Sequence, residues 1–259
     1  MDPTILIGTL GAIVFLVGGF LLEGGHAGAL MQKTAAMIVF GGTIGATIAS
    51  FSMKEIKTIP GLFKIVLTQK VPEPSEVIEK IVELAEVSRR EGLLQLENRL
   101  SEIDDPFLRK GLQLLVDGND PELVKNTLEV EIYATEERHQ TGKQIFEAAG
   151  GYAPTMGIIG TVMGLVHVLG QLSTPDELGP AIAVAFIATL YGVGSANVIW
   201  LPIATKLSGL SKKEILIRQL MMEGVISLQA GYNPTLIRDR LSGFLKPSNR
   251  KKEIKTKEE

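Results

Sequence analysis

Two hydroxyl side chains, Thr161 and Thr189, lie inside long apolar runs of this 259-residue chain. A threonine oxygen is a hard ligand, suited to a cation or to a water that relays a proton. The same hydroxyl can instead bond back to a carbonyl of its own helix. Between Ala153 and Ile203 there is no Lys, Arg, Asp or Glu outside the short turn Pro175-Asp176-Glu177. The other polar residues inside the two apolar runs are few: Thr155, His167, Gln171, Tyr191, Ser195 and Asn197. Relays of protons or cations through a membrane usually need an ionisable group within it. If ions pass beside Thr161 and Thr189, the acid must come from another polypeptide.

Other chemistries find little support. There is no phosphate-binding loop, no metal-ligand spacing and no nucleophile motif, and His26, His139 and His167 are scattered. The chain has no Cys, which removes disulfides and thiolate sites. Its net charge of −3 leaves no nucleic-acid footprint. An enzyme is not indicated, and no cofactor is implied.

The elements that must hold the two hydroxyls are membrane helices. Each run is about 20 residues, enough to cross a hydrocarbon core of roughly 30 Å. They form a hairpin, residues 153–203. Gly157, Gly160 and Gly164 on one run, and Gly192, Gly194 and Ser195 on the other, permit close backbone approach in lipid. The three glycines of the first run also clear room for a partner helix, which would bring its carboxylate near Thr161. Pro154 and Pro202 stand near the ends of the two helices, where each removes a backbone donor and can kink or start a helix. Thr4–Leu22 and residues 35–51 form a second hairpin within residues 1–52. The first run lacks a basic leader and a cleavage site and reads as a retained anchor. Its Gly8, Gly11, Gly18 and Gly19 suit close packing. Lys54, Lys57 and Lys64 follow the first hairpin, and Lys206, Lys212, Lys213 and Arg218 follow the second. This bias puts both termini and the large middle segment in the cytoplasm.

The middle segment, residues 53–152, reads as helical. Val77, Ile78, Ile81, Val82, Leu84 and Ala85 make an apolar stripe at helical spacing. The helical pattern continues over residues 93–100, a short helix covers residues 106–116, and Asp120-Pro121 opens a long helix toward Gly150. After the fourth span, residues 204–245 form a helical tail, and the charged residues 246–259 read as disordered. Arg89, Arg90 and Glu97 lie close together on an exposed stretch around Gly92. On a continuous helix Arg90 and Glu97 would share a face. Such charges form either a solvated face or a surface that reads a complementary partner.

The fold class is thus an all-α integral membrane protein, with four transmembrane helices in two hairpins and a helical cytoplasmic domain between spans two and three. In its motifs the chain resembles the flagellar motor stator subunits of the MotA/PomA family. The resemblance rests on Ser88-Arg89-Arg90-Glu91-Gly92-Leu93-Leu94-Gln95-Leu96-Glu97, Leu114-Leu115-Val116-Asp117-Gly118 and Glu137-Arg138-His139. It also rests on the run from Tyr152 to Thr161, the run from Glu177 to Ala183, Thr189-Leu190-Tyr191-Gly192 and Met222-Glu223-Gly224-Val225. It implies a ring of five such chains in the bacterial inner membrane around a MotB-like subunit that supplies the missing carboxylate. Ion passage past that carboxylate turns the ring, and the rotor protein FliG is engaged from the cytoplasm. By motif position the rotor-facing charges are Arg89, Arg90 and Glu97, the functional prolines Pro154 and Pro202, and the pore-side hydroxyls Thr161 and Thr189. Asn98 stands where some relatives carry a second acid.

The resemblance leaves the transported ion as H+ or Na+. Thr161 matches sodium-type relatives, many proton-type relatives having Ala there, whereas Gln32 stands where sodium-type PomA has an acid. The alternatives are an energiser of outer-membrane processes of the ExbB/TolQ kind, which typically has three spans, and a non-conducting membrane scaffold. The N-terminal hairpin favours the stator.

Overall fold

The computed structural model describes residues 3–170 and 175–247. All regular structure among them is helical. The chain folds as two compact units, each built from two separate segments: Met1–Lys70 with His139–Gly209, and Val71–Arg138 with Leu210–Glu259. Four helical stretches are long and apolar enough to cross a membrane: Thr4–Leu22, Ala27–Ser50, Pro121–Leu169 and Ala181–Gln229. The chain is an all-helical integral membrane protein with these four spans. Part of the turn between the third and fourth, including Gln171, falls outside the described residues, as does most of the tail 246–259.

The first unit holds the spans. Helix α1 (Thr4–Leu22) buries none of its residues. Its apolar side chains face outward because hydrocarbon is their solvent. The close packing expected of Gly8, Gly11, Gly18 and Gly19 is not made within this chain, since a methyl on any of them would meet nothing within 4 Å. Helix α2 runs as Lys33–Ala36, a π turn Met37–Gly41 and Gly42–Ser50. It stops where Phe51 turns extended. Ser52 and Glu55 then form a reciprocal capping box, whose hydrogen bonds hold the exposed Glu55 carboxyl below its ordinary range. Helix α3 (Ile59–Thr68) is amphipathic and buries Val66, with Phe63 edge-on to Phe146 at 5.3 Å.

The second unit is a helical bundle. Helix α4 (Pro74–Glu91) buries the six stripe residues the sequence marks, Val77 to Ala85. Helix α5 (Pro106–Val116) starts on Asp105, whose carboxylate accepts from the amides of Phe107 and Leu108 at 2.9 and 3.0 Å. Helix α6 (Pro121–Leu169) is one uninterrupted helix of 49 residues. It passes through Pro154 without restarting, because continuous packing on both sides outweighs one missing hydrogen bond. Helix α7 runs as Pro175–Ser195, a π turn Ala196–Trp200 and Leu201–Gln229. Helix α8 (Pro234–Ser242) is capped by Asn233 and lies against α4. Ile78, Ile81, Leu112, Leu128, Leu220 and Ile237 are the centre of this core, all fully buried. The expected continuation of α4 into residues 93–100 does not occur. Gly92 has φ +90°, which ends the helix, and short turns follow before Ile103.

Gly224 shows how tight the second unit is, since a methyl there would stand 2.6 Å from Ile81 Cδ1. Gly224→Ala should therefore cost about 1–3 kcal/mol through overpacking. Gly209→Ala, at a helical position where a methyl meets nothing within 4 Å, should instead be neutral or stabilise by up to about 1 kcal/mol. Thermal unfolding of the detergent-solubilised protein checks both signs.

Candidate functional site

Spans three and four meet at backbone distance. A methyl on Gly157 would stand 2.9 Å from the Ala188 carbonyl oxygen, and one on Gly192 would stand 2.5 Å from that of Ala153. Gly160 and Gly164 press in the same way on Ala188 and Ala185. These glycines therefore pack on the chain's own α7, and Gly160 and Gly164 also line a cavity beside it.

This approach brings Thr161 and Thr189 together, with their hydroxyl oxygens 2.5 Å apart. The Thr161 hydroxyl also lies within donating distance of the Ala185 carbonyl at 2.9 Å and of the Gly157 carbonyl at 3.1 Å. A hydroxyl has one proton, so it serves one of these acceptors at a time. Back-bonding, one of the two readings open from sequence, thus shares one site with an interhelical contact: three oxygens surround the hydroxyl of a half-buried Thr161. A cavity of about 550 Å³ lies beside it, lined by Gln32, Ile38, Gly160, Gly164, His167 and Ala185.

Tyr191 fixes the start of α2 beside this site. Its hydroxyl donates to the Leu30 carbonyl and accepts from the Gln32 amide at 3.1 Å, while its ring lies 5.9 Å from that of Phe40. The sequence signal was an aromatic hydroxyl in an apolar span, which must find a partner when buried; the partner itself was not legible.

The two prolines also share a neighbourhood. Pro154 cannot donate to the Gly150 carbonyl. A methyl on Gly150 would meet Leu201 Cδ2 at 2.6 Å, one residue before Pro202. Pro202 likewise frees the Val198 carbonyl, four residues back, and that carbonyl accepts the Thr9 hydroxyl of α1 at 3.3 Å. The π turn Ala196–Trp200 immediately precedes this proline.

Arg89, Arg90 and Glu97 are exposed in the second unit. Since α4 ends at Glu91, the shared helical face expected for Arg90 and Glu97 is absent. Arg90 lies 3.9 Å from Glu86, and Arg99 is held by Glu102 at 2.9 Å. Arg89 and Glu97 have no ion pair among the described residues.

Paired hydroxyls between two acid-free apolar runs, two prolines and a separate charged unit fit an ion-channel subunit of the stator type. The MotA/TolQ/ExbB proton channel family matches residues 99–220, and the Motility protein A N-terminal family matches residues 6–92. The chain is 42% identical to Motility protein A of Bacillus subtilis (strain 168), covering 97% of this chain and 94% of that one. It is 39% identical to the chemotaxis protein PomA of Vibrio alginolyticus, covering 98% and 99%. Its fold matches the flagellar MotAB stator complex from Bacillus subtilis with a TM-score of 0.91, 42% identity and coverage of 96% and 98%. C. jejuni MotAB gives 0.91 at 28% identity, covering 95% and 97%. The chain belongs to the MotA/TolQ/ExbB proton channel family, in its motility protein A branch. The N-terminal hairpin that favoured a stator over an ExbB/TolQ-like energiser lies in the segment that the motility-specific family matches.

Gly192→Ala places a methyl against backbone that cannot yield, so it should push spans three and four apart and break the Thr161–Thr189 contact. Ion flux through the reconstituted complex should fall at least about tenfold, a change of about 1.4 kcal/mol in the barrier. Gly194→Ala, which meets nothing within 4 Å, should leave flux unchanged.

Proposed function

We propose that the chain is the ring-forming subunit of a flagellar stator. With a MotB-like partner it makes a channel whose H+ or Na+ flux drives torque on the rotor. The observation that carries this is the Thr161–Thr189 oxygen cluster between two spans that contain no acid. Oxygen ligands there await a carboxylate from outside the chain, and the MotB-like subunit supplies it. The fold match to MotAB complexes supports that partner. A ring of five copies is what resemblance to the family implies. Both termini face the cytoplasm of a bacterial inner membrane, because the Lys/Arg residues cluster after spans two and four. Membrane lipid bathes the outer spans.

Within this reading Thr161 and Thr189 border the ion path. Pro154 and Pro202 loosen α6 and α7 where their turns touch, so that the hairpin can change shape during ion passage. Arg89, Arg90 and Glu97 meet the rotor protein FliG. Arg89 and Glu97 suit this because they lack partners in their own unit.

Liposomes carrying this chain alone should conduct far less than those carrying it with the MotB-like subunit. Equal flux would show that no outside acid is needed. In the complex, Thr161→Ser should keep its function. Thr161→Ala should strongly weaken a sodium-driven motor and only mildly weaken a proton-driven one, read as swimming speed against external sodium at fixed pH.

Charge reversal tests the rotor contact. Arg89→Glu or Glu97→Lys should reduce swimming while changing stability by no more than about 0.5 kcal/mol, as exposed positions allow. Recovery by the matching reversal on the rotor would identify the pairing. Loss of the protein from the membrane would mark the residue as structural.

A further inference from the structure

Helix α3 is pinned at the level where the membrane spans end. Its Val66 is buried with Phe146 of α6 and with Ile203, Ala204 and Leu207 of α7, and Ile5 from the first turn of α1 packs on the same cluster. Leu62 closes over Gly142 of α6, where a methyl would stand 3.0 Å from it. Span two stops at Ser50, and only the short helical turn Met53–Ile56 separates it from α3. The start of span one, the end of span two and α7 just past Pro202 therefore surround α3. At that level a side turned away from the protein meets the headgroup layer of the bilayer.

The residues on that side are of one sign. Between positions 51 and 70 stand Lys54, Lys57, Lys64 and Lys70, against the single carboxylate of Glu55. Glu55 is engaged by the Ser52 amide at 2.7 Å, and Glu147, next to Phe146 on α6, is held by Lys143 at 3.2 Å. The four lysines are exposed and have no ion pair among the described residues. Beside them Met53, Phe63 and Ile65 are 61%, 38% and 37% exposed. Cations and apolar side chains mixed on the outer side of an amphipathic helix suit an interface of headgroups and acyl chains. Lysine stems lie along apolar surface while their ammonium groups reach phosphate.

We infer that α3 and the turn before it bind anionic phospholipids, with Lys54, Lys57 and Lys64 on the headgroup phosphates and Met53, Phe63 and Ile65 against the upper acyl chains. The orientation proposed above makes this the inner leaflet, and only the choice of leaflet rests on it. Each lysine near an anionic surface favours binding roughly fivefold. Bound headgroups then tie to the bilayer the one short helix on which α1, α6 and α7 all pack.

The test uses the full chain assembled with a thiol-free MotB-like subunit in a reconstituted bilayer. The chain has no Cys, so Ile65→Cys gives α3 a single site for a fluorescent label. The bilayer is one fixed mixture of phosphatidylglycerol and phosphatidylcholine, with one or the other brominated high in the acyl chain as quencher. Quenching should show a preference for phosphatidylglycerol of at least about tenfold. Replacing Lys54, Lys57 and Lys64 together by Gln should remove the preference, and replacing them by Arg should keep it. Salt at about 1 M, where the Debye length is roughly 3 Å, should weaken it in the unaltered chain, which decides the matter if the Gln variant does not assemble. A label at Phe15→Cys, 82% exposed on α1, should be quenched equally by both lipids. The inference fails if neither lipid quenches the α3 label, which would mean that another chain covers this side, or if both quench it equally. It fails also if the preference survives the Gln variant or high salt. Loss of the preference to inorganic phosphate at matched ionic strength would overturn it in favour of a free-anion site. Both leaflets carry the same lipids and no readout measures flux or rotation, so failure here leaves the orientation and the stator reading standing.

Discussion

At Gly157 and Gly192 two membrane helices come so close that no side chain fits between them. In lipid this contact cannot be driven by the hydrophobic effect, because hydrocarbon solvates leucine as well as a neighbouring helix does. Dispersion between closely opposed backbones and hydrogen bonds across the gap must supply the attraction. The glycines provide the first. The Thr161 hydroxyl, within reach of Ala185 and Thr189, provides the second. The same residues therefore hold the hairpin together and gather oxygens at one level of it. A larger side chain at either glycine would weaken packing and disperse that cluster in a single step.

The attachment of α1 and α2 follows from the same rule that polar groups in lipid must find partners inside the protein. Pro202 leaves the Val198 carbonyl without its helical donor, and Thr9 of α1 supplies one. Tyr191 carries a hydroxyl into an apolar span, and the backbone before α2 satisfies it at Leu30 and Gln32. α1 is tied to α7 by the Thr9 hydroxyl, and α2 by the Tyr191 hydrogen bonds and by Ala35 and Val39 packed with Ala188, whereas α6 and α7 share a glycine-lined interface.

Much of this was readable from residue types, but not all. Thr4–Leu22 was legible to the residue because a membrane span is a matter of length and apolarity. The α4 stripe was legible because six apolar residues at helical spacing leave one way to bury them. Asp120-Pro121 marked the start of α6 through local capping chemistry. Contacts between distant segments were not legible. Gly157, Gly160 and Gly164 announce a close approach without naming the partner, which proved to be α7. Gly8, Gly11, Gly18 and Gly19 carry the same signal, yet nothing in the chain meets them. Pro154 looked like a boundary, and the helix runs through it. Gly92 was read as bounding a charged stretch within a helical pattern, yet its positive φ ends α4 there.

The two units solve different solvent problems, and their charge placement follows from that. In the spans a lone charge would cost several kcal/mol, so α6 and α7 keep to neutral hydroxyls there. In the second unit water screens charge, and many side chains pair locally: Arg99 with Glu102, Lys110 with Glu131, Arg218 with Glu214. Against that background Arg89 and Glu97 stand apart. They sit on either side of Gly92, where the chain abandons the helix that would otherwise have set their spacing. The break frees the two charges from one rigid face and lets each be aimed separately.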